Sequence, residues 1–355
     1  MSTTRKPRSR RAPRAPQETP RPRLGTSEIW VESPLQLLSA IEAHAAGLTG
    51  TSTTVRVRPG IPGINKTANA LANNVPQGIT IDTESGHITP LSSSPMNRWG
   101  AGDMFSGQVQ KAMLGTLGDR EIIIIDDGLA TLAFLDKLSH NSPTPLVRDR
   151  GKRTAGRITL GLAAWHRLRW AAKNNRVLLI TALPLVPELS ERLARIGVRV
   201  EHHAFEWSRS QPAEESFSEQ TMLIGSALAC DGLIEPEPYI NWIKQLASDA
   251  PLAYFPHRRE QGELLEEIRA IPGVNVQATT TPVELRLRGL RPLQRVVSLP
   301  STAVTSLRLL LAGRGIDVTY KRIPDSWWTP QATPALRQHL LSSVSLKQGK
   351  EKHDG

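Results

Sequence analysis

Glu121-Ile-Ile-Ile-Ile-Asp126-Asp127-Gly128, continued at once by Leu129-Ala-Thr-Leu-Ala-Phe-Leu-Asp-Lys-Leu138, is the stretch that decides the fold. Four consecutive isoleucines in so short a run predict a strand buried on both faces, as in the middle of a parallel sheet. After the glycine, apolar side chains recur at three- and four-residue spacing, so the strand feeds directly into a helix. Asp126 and Asp127 therefore sit at the carboxyl end of a central strand, the edge that borders the ligand crevice in open α/β sheets. Asp127 also reads as a cap for the following helix.

Outward from this stretch, strand and helix patterns alternate along nearly the whole chain. Ser27-Glu-Ile-Trp-Val-Glu32 predicts a first strand, and Ser33-Pro34 opens a helix with serine at the N-cap and proline in the first turn. A strand over 53–58, a helix over 64–74 and a strand over 79–82 follow. Residues 86–102, rich in Ser, Pro and Gly, read as a loop, and 108–117 as a helix. Beyond 138, residues 141–153 read as a polar connection on the crevice side. The basic, Trp-containing helix at 156–173 fits either a membrane surface or a core position with its arginines snorkelling outward. A buried strand at 176–181, a helix at 187–196 and an edge strand at 198–204 complete the first series. A second series has strands at 221–224, 252–255, 274–276, 296–298 and 316–320, with helices at 237–247, 261–270 and 302–311. The expected domains are a first Rossmann-like unit at 26–207, a linker at 208–220 and a second Rossmann-like unit at 221–330. Residues 331–355 form a final helix, packing back across the domains, and a polar tail. The predicted fold class is α/β, two Rossmann-like domains facing a central cleft.

Composition narrows the functional classes. At 355 residues, 39% hydrophobic and 22% charged, the chain has the make-up of a soluble two-domain protein. It has no apolar run near the roughly 20 residues that a membrane helix requires and no leader-like apolar segment. One cysteine, Cys230, leaves no disulfide framework and no cysteine-cluster zinc site. These features point to the cytoplasm. Of the net charge of +11, residues 1–25 hold eight basic side chains against the single acid Glu18, so +7 lies in the tail and +4 elsewhere. With five prolines and little apolar content, that tail is expected to stay unfolded. Its charge points to peripheral attraction toward an anionic membrane or other polyanion, and a solvated tail without a specific partner fits as well. With most of the excess charge in the tail, a pI near 10 does not make this a nucleic-acid-binding protein, and no specific nucleic-acid partner is expected.

Three stretches just beyond predicted strands carry the chemistry. The first is Asp126-Asp127-Gly128. The second, Tyr254-Phe-Pro256-His257-Arg258-Arg259-Glu260, and the third, Leu299-Pro300-Ser301-Thr302-Ala303, each open a helix. A helix start offers unpaired N–H groups and partial positive charge to a phosphate, and Ser301, Thr302, His257 and Arg258 add donors there. Helix capping by Ser301 and Thr302 and an ordinary loop position for His257 are the simpler readings of each residue alone. Together, one half grips a phosphate and the other presents a carboxylate, the division expected when a sugar moves from a nucleotide to a hydroxyl. Gly225 and Ser226 follow another strand and would let backbone approach the nucleotide. Glu284 would accept hydrogen bonds from a ribose, or be a solvated surface charge. His202 and His203 are adjacent, so on a strand they face opposite ways and form no metal pair.

The three stretches resemble the acidic, histidine and serine motifs of bacterial sialyltransferases of glycosyltransferase family 52 and the related polysialyltransferases. Glu32-Ser33-Pro34-Leu35-Gln36-Leu37-Leu38, Gly102-Asp103 with Phe105-Ser106-Gly107, and Leu223-Ile224-Gly225-Ser226-Ala227-Leu228 add to the likeness, which spans residues 28 to about 320. Arg258 is a departure, standing where these families usually have proline. The resemblance implies a GT-B fold and inverting transfer of sialic acid from CMP-sialic acid to a glycan acceptor, with no required cofactor or metal. Asp126 is the favoured base, with Asp127 nearer a capping role. Protonated His257, with Arg258, Ser301 and Thr302, would attend the leaving phosphate. A CMP-Kdo or nucleoside diphosphate sugar transferase, or a non-catalytic module binding membrane or polyanion, are the alternatives.

Overall fold

The four isoleucines form the centre of a sheet, as their run predicts. In the computed structural model, which describes residues 25–341 except 62, 73, 149–152, 214, 279–280, 335 and 338–339, their side chains alternate between two cores. Ile123 and Ile125 join a cluster with Ile29, Leu37, Leu38 and Val55, whereas Ile122 and Ile124 meet Trp99, Phe134, Leu168 and Leu179 on the other side. All four are buried, and each contributes roughly 2–3 kcal/mol through apolar burial.

The first domain runs β1 (Thr26–Val31), α1 (Pro34–Ala45), β2 (Ser52–Val57), α2 (Ile64–Leu71), β3 (Ile79–Asp82), β4 (Arg98–Ala101), α3 (Gly107–Met113), β5 (Glu121–Ile125), α4 (Leu129–Ser139), α5 (Ala155–Lys173), β6 (Val177–Thr181), α6 (Pro187–Arg195) and β7 (Val198–His202). After a short α7 (Glu206–Ser210), the second domain runs β8 (Thr221–Ile224), α8 (Ala227–Cys230), α9 (Pro236–Asp249), β9 (Leu252–Phe255), α10 (Glu263–Arg269), β10 (Val274–Val276), α11 (Val283–Arg286), β11 (Arg295–Ser298), α12 (Thr302–Leu310) and β12 (Asp317–Tyr320). Both sheets are parallel throughout, in the orders β3-β2-β1-β4-β5-β6-β7 and β10-β9-β8-β11-β12. Each order reverses direction once, between β1 and β4 and between β8 and β11, which is where Rossmann-like sheets open a crevice. The protein is thus an α/β molecule of two Rossmann-like domains, a GT-B-like layout.

β4 lies inside the stretch that reads as a loop. Its four residues, Arg98-Trp-Gly-Ala, offer little pattern, and a glycine argues against a strand interior. The glycine is there because the neighbours demand it. A Cβ at Gly100 would stand 3.1 Å from Ile123 Cβ and 3.2 Å from Ile29 Cγ1, the side chains of the two flanking strands. Gly100→Val should therefore lower stability by about 3 kcal/mol through overpacking, read as a reduced urea midpoint; an unchanged midpoint would contradict this packing.

The join between domains is tighter than the polar linker predicts. The Glu42 carboxylate on α1 accepts from Trp207 N (3.1 Å) and Ser208 N (2.7 Å), holding the start of α7. Arg209 on α7 donates to Ala312 O (3.4 Å) just beyond α12. Phe205, buried ahead of α7, takes a left-handed backbone with φ of 57°, uncommon for a residue with a side chain. The expected boundary at 207–208 consequently falls inside α7. α5 is a core helix that buries Gly161, Ala164, Trp165, Leu168, Ala171 and Ala172. At the C-terminal end, Leu340 is buried in the second domain's core cluster, with Leu336 and the first domain's Leu129 packed against the same cluster; much of the expected last helix lies outside the described residues. The basic tail through residue 24 and the residues after 341 lie outside the described residues.

Candidate functional site at the facing sheet edges

Strand ends build the first half of the site. β1 ends at Val31 and is followed by Glu32-Ser33, β4 by Gly102-Asp103, and β5 by Asp126-Asp127-Gly128. These lie around the point where the first sheet's order reverses. Ser33 caps α1 by accepting from Gln36 N (3.2 Å), as the sequence predicts, and its hydroxyl also donates to Asp127 Oδ1 (3.1 Å). Glu32 accepts from Trp30 Nε1 (2.9 Å), Ser106 Oγ (2.7 Å) and Arg58 Nη1 (2.6 Å). Arg148 donates to Asp103 Oδ2 (2.9 Å) and lies 3.9 Å from Asp127 Oδ2. Gly102 is needed here, because a Cβ would overlap the Gln36 side chain.

The two neighbouring aspartates are placed differently from what the sequence suggests. Asp126 is buried, and its carboxylate accepts from Gly128 N (2.8 Å), Thr181 Oγ1 (2.7 Å) and Ala182 N (3.3 Å). It is spent tying β5 to the end of β6 and is turned toward its own sheet, which removes it as the favoured base. Asp127 makes no helix cap: Gly128 occupies that position, at φ 67° and ψ −132°, without a side-chain bond. The Asp127 carboxylate instead joins Asp103, Arg148 and Ser33, with 16% of its side chain exposed. Burial, and then the nearby Asp103 charge, raise its pKa to about 6 despite hydrogen bonds from Gln36 and Ser33 and the Arg148 charge. A carboxylate so tuned is ionised at neutral pH yet basic enough to take a proton.

In the second domain, Gly225-Ser226 follow β8 and Pro300-Ser301-Thr302 follow β11, flanking that sheet's reversal point. Ser301 sits at the N-cap of α12, but its side chain makes no capping bond; its hydroxyl is 3.5 Å from Ser298 Oγ. Ser226 does cap, accepting from Leu228 N (3.3 Å) at the start of α8. Glu284 is neither on the surface nor open to a ribose through its Oε1, since it is buried on α11 and Ser306 Oγ donates to that atom (2.7 Å). Arg258 is exposed.

His257 is half-buried. Its Nδ1 accepts from Arg259 N (3.2 Å), which leaves the ring proton on Nε2. Burial, followed by the charges of Arg259 and Arg258, lowers its pKa to about 4. It is therefore neutral at pH 7 in this state, not the protonated acid expected, and it offers a neutral N–H donor.

Sequence reasoning gave no role to Glu260, which holds the His257 loop. It is buried on the far side of the loop, where its Oε2 accepts from His257 N (2.7 Å) and its Oε1 lies 2.8 Å from Tyr254 Oη and 3.1 Å from Tyr239 Oη. A Cβ at Gly225 would overlap Glu260 Oε2 and stand 2.8 Å from His257 N. The glycine thus makes room for this carboxylate. Glu32 and Asp103 enter the sequence reading only through the family resemblance, without a role of their own; Glu32 ends the expected first strand, whereas Asp103 and Arg148 lie in or beside stretches that read as loop and connection.

The halves meet. A Cβ built at Gly128 would lie 2.7 Å from Thr302 Oγ1, so the acidic turn of one domain rests against the start of α12 in the other. Among the described residues no cluster of three metal-ligating side chains occurs, and no helix is long and apolar enough to cross a membrane.

The chain matches no family model and no curated protein. Among solved structures it is similar to the E. coli heptosyltransferase WaaC with ADP-2-deoxy-2-fluoro heptose, at 11% identity over 89% of this chain and 99% of that one, with a TM-score of 0.40. Phytolacca americana UGT2 complexed with UDP-2fluoro-glucose and pterostilbene is similar at 10% identity over 90% and 94% of the two chains, TM-score 0.40. Acinetobacter baumannii MurG is similar at 12% identity over 90% and 93%, TM-score 0.30. The first two structures carry ADP- and UDP-sugar analogues, not the CMP-sugar that the sequence resemblance implies. Likenesses this distant carry no argument about chemistry, and the fold assignment rests on the strand orders above.

Proposed function

We propose that the protein is an inverting glycosyltransferase that moves sialic acid from CMP-sialic acid to a hydroxyl of a glycan acceptor. The observation that supports it most is the meeting of the Asp127-Gly128 turn with Thr302 across the domain boundary. It brings a carboxylate with a pKa of about 6 to the edge opposite an uncapped helix start, Ser301-Thr302.

In this reading Asp127 takes the acceptor hydroxyl's proton while that oxygen attacks the anomeric carbon on the face away from CMP. The bond from the anomeric carbon to the phosphate oxygen breaks, and its electron pair leaves on CMP. The phosphate's growing charge is met by the Ser301 and Thr302 hydroxyls, the N–H groups at the start of α12, the Nε2–H of His257 and the Arg258 cation. His257 needs no proton in the resting enzyme to do this, and an arriving phosphate raises its pKa. Glu260 and Gly225 act behind it by fixing the loop. The donor has one phosphate, so the reading calls for no metal bridge.

Thermal unfolding with nucleotides tests the donor class. Saturating CMP is expected to raise Tm by about 4 °C, with UDP, ADP and GDP inert. Protection by UDP or ADP alone removes the CMP-sugar part of the proposal, and protection by none removes the nucleotide-sugar part.

A further inference from the structure

The outer face of α5 carries a combination that packing within the chain leaves unused. Gly161, Ala164, Trp165, Leu168, Ala171 and Ala172 point into the core. The opposite face presents His166, Arg167, Trp170 and Lys173, and α5 contains no acidic residue along its 19 residues. α3 lies alongside, with exposed Lys111, no acid, and Leu114 at its end. Trp170 is 51% exposed and Leu114 40% exposed, two of the three large apolar side chains most open to solvent among the described residues. Arg167 joins the helices, donating to Met113 O (3.3 Å) beside Leu114 and placing its guanidinium 5.7 Å from the Trp170 ring centre. Two carboxylates on neighbouring segments, Asp119 after α3 and Asp136 on α4, are paired with Arg176 and Arg192.

We propose that this α3–α5 face docks on an anionic lipid surface, with Trp170 and Leu114 entering the headgroup boundary and Lys111, His166, Arg167 and Lys173 lying over the lipid charges. Tryptophan ringed by lysine and arginine suits that boundary, where an apolar body and a polar rim are both satisfied. Uncompensated positive charge makes the attraction specific for anionic lipid. A purely apolar protein partner would leave the cations buried without counter-charges. Geometry adds a consequence. Arg157, near the start of α5, donates to Phe105 O (2.9 Å) beside the Asp103 turn, so the docking helix runs from the acidic half of the site to Lys173, about 24 Å away at 1.5 Å per residue. Lipid contact along α5 would hold that half of the cleft near the membrane.

The test uses the full-length chain and does not depend on catalysis. Vesicles of phosphatidylcholine alone are compared with vesicles containing phosphatidylglycerol, both carrying brominated acyl chains that quench tryptophan. Wild type is expected to bind the anionic vesicles with quenching, and Trp170→Phe should remove that quenching while the other seven of the chain's eight tryptophans stay unquenched. Arg167→Ser with Lys173→Ser should weaken co-sedimentation about tenfold or more. Equal binding to neutral vesicles, quenching unchanged in Trp170→Phe, or binding unchanged in the double variant overturns the proposal. Unchanged quenching in Trp170→Phe would assign the lipid contact to a face carrying another tryptophan, and unchanged binding in the double variant would assign it to the basic tail.

Discussion

Asp127→Asn is expected to cut the transfer rate about a thousandfold, the scale of a lost general base, while leaving CMP protection in thermal unfolding unchanged. The variant should fold at least as well as wild type. The raised pKa means the folded chain binds a proton at Asp127 more tightly than the unfolded chain does. Its ionisation therefore costs stability as pH rises from about 4 through about 6, and asparagine removes that cost. Activity runs the other way in wild type, increasing as pH climbs through about 6 and the carboxylate becomes able to accept a proton. Asp126→Asn should show the reverse pattern. It places an amide among donors from Gly128, Thr181 and Ala182, so stability falls by about 2 kcal/mol. Near-wild-type transfer by Asp127→Asn, or a pH profile flat between 5 and 7, would remove Asp127 as the base.

The second large effect is expected from Gly225→Ala. The added methyl overlaps Glu260 Oε2, and the carboxylate cannot retreat because Tyr239 and Tyr254 enclose its other oxygen. Either the His257 loop lifts or the network breaks. Stability should drop by about 3 kcal/mol, and CMP should no longer raise Tm. Glu260→Gln keeps the shape but presents an amide where three donors converge, so it should weaken CMP protection with a smaller loss of stability. Unaltered CMP protection in Gly225→Ala would show that the loop does not contact the nucleotide.

Much of the architecture can be read from one-dimensional pattern because it rests on burial. The Ile122–Ile125 run, the Ser33-Pro34 helix start and the alternation of strand and helix all report local physics, and each element appears within a few residues of its expected place. β4 escapes because its decisive residue, Gly100, answers to Ile29 and Ile123, neighbours 71 and 23 positions away. The roles of Asp126 and Asp127 escape for a related reason. Adjacent side chains at a strand end point apart, but which of them faces the cleft depends on Thr181 and the second domain. Glu260 stands in plain view beside His257, yet nothing in the sequence says that two tyrosines and a glycine converge on it. Arg148 lies in a polar connection with no periodic signal, and its partners come from the ends of two different strands.

Arg148 has one more consequence. Its guanidinium helps to hold down the basicity of Asp127 while it spans Asp103 and Asp127, and nearly half of its side chain is open to solvent. A negatively charged acceptor sugar that draws Arg148 away would leave Asp127 a stronger base at the moment the hydroxyl arrives. An empty enzyme would keep the weaker base, and so spare its donor from idle hydrolysis by water.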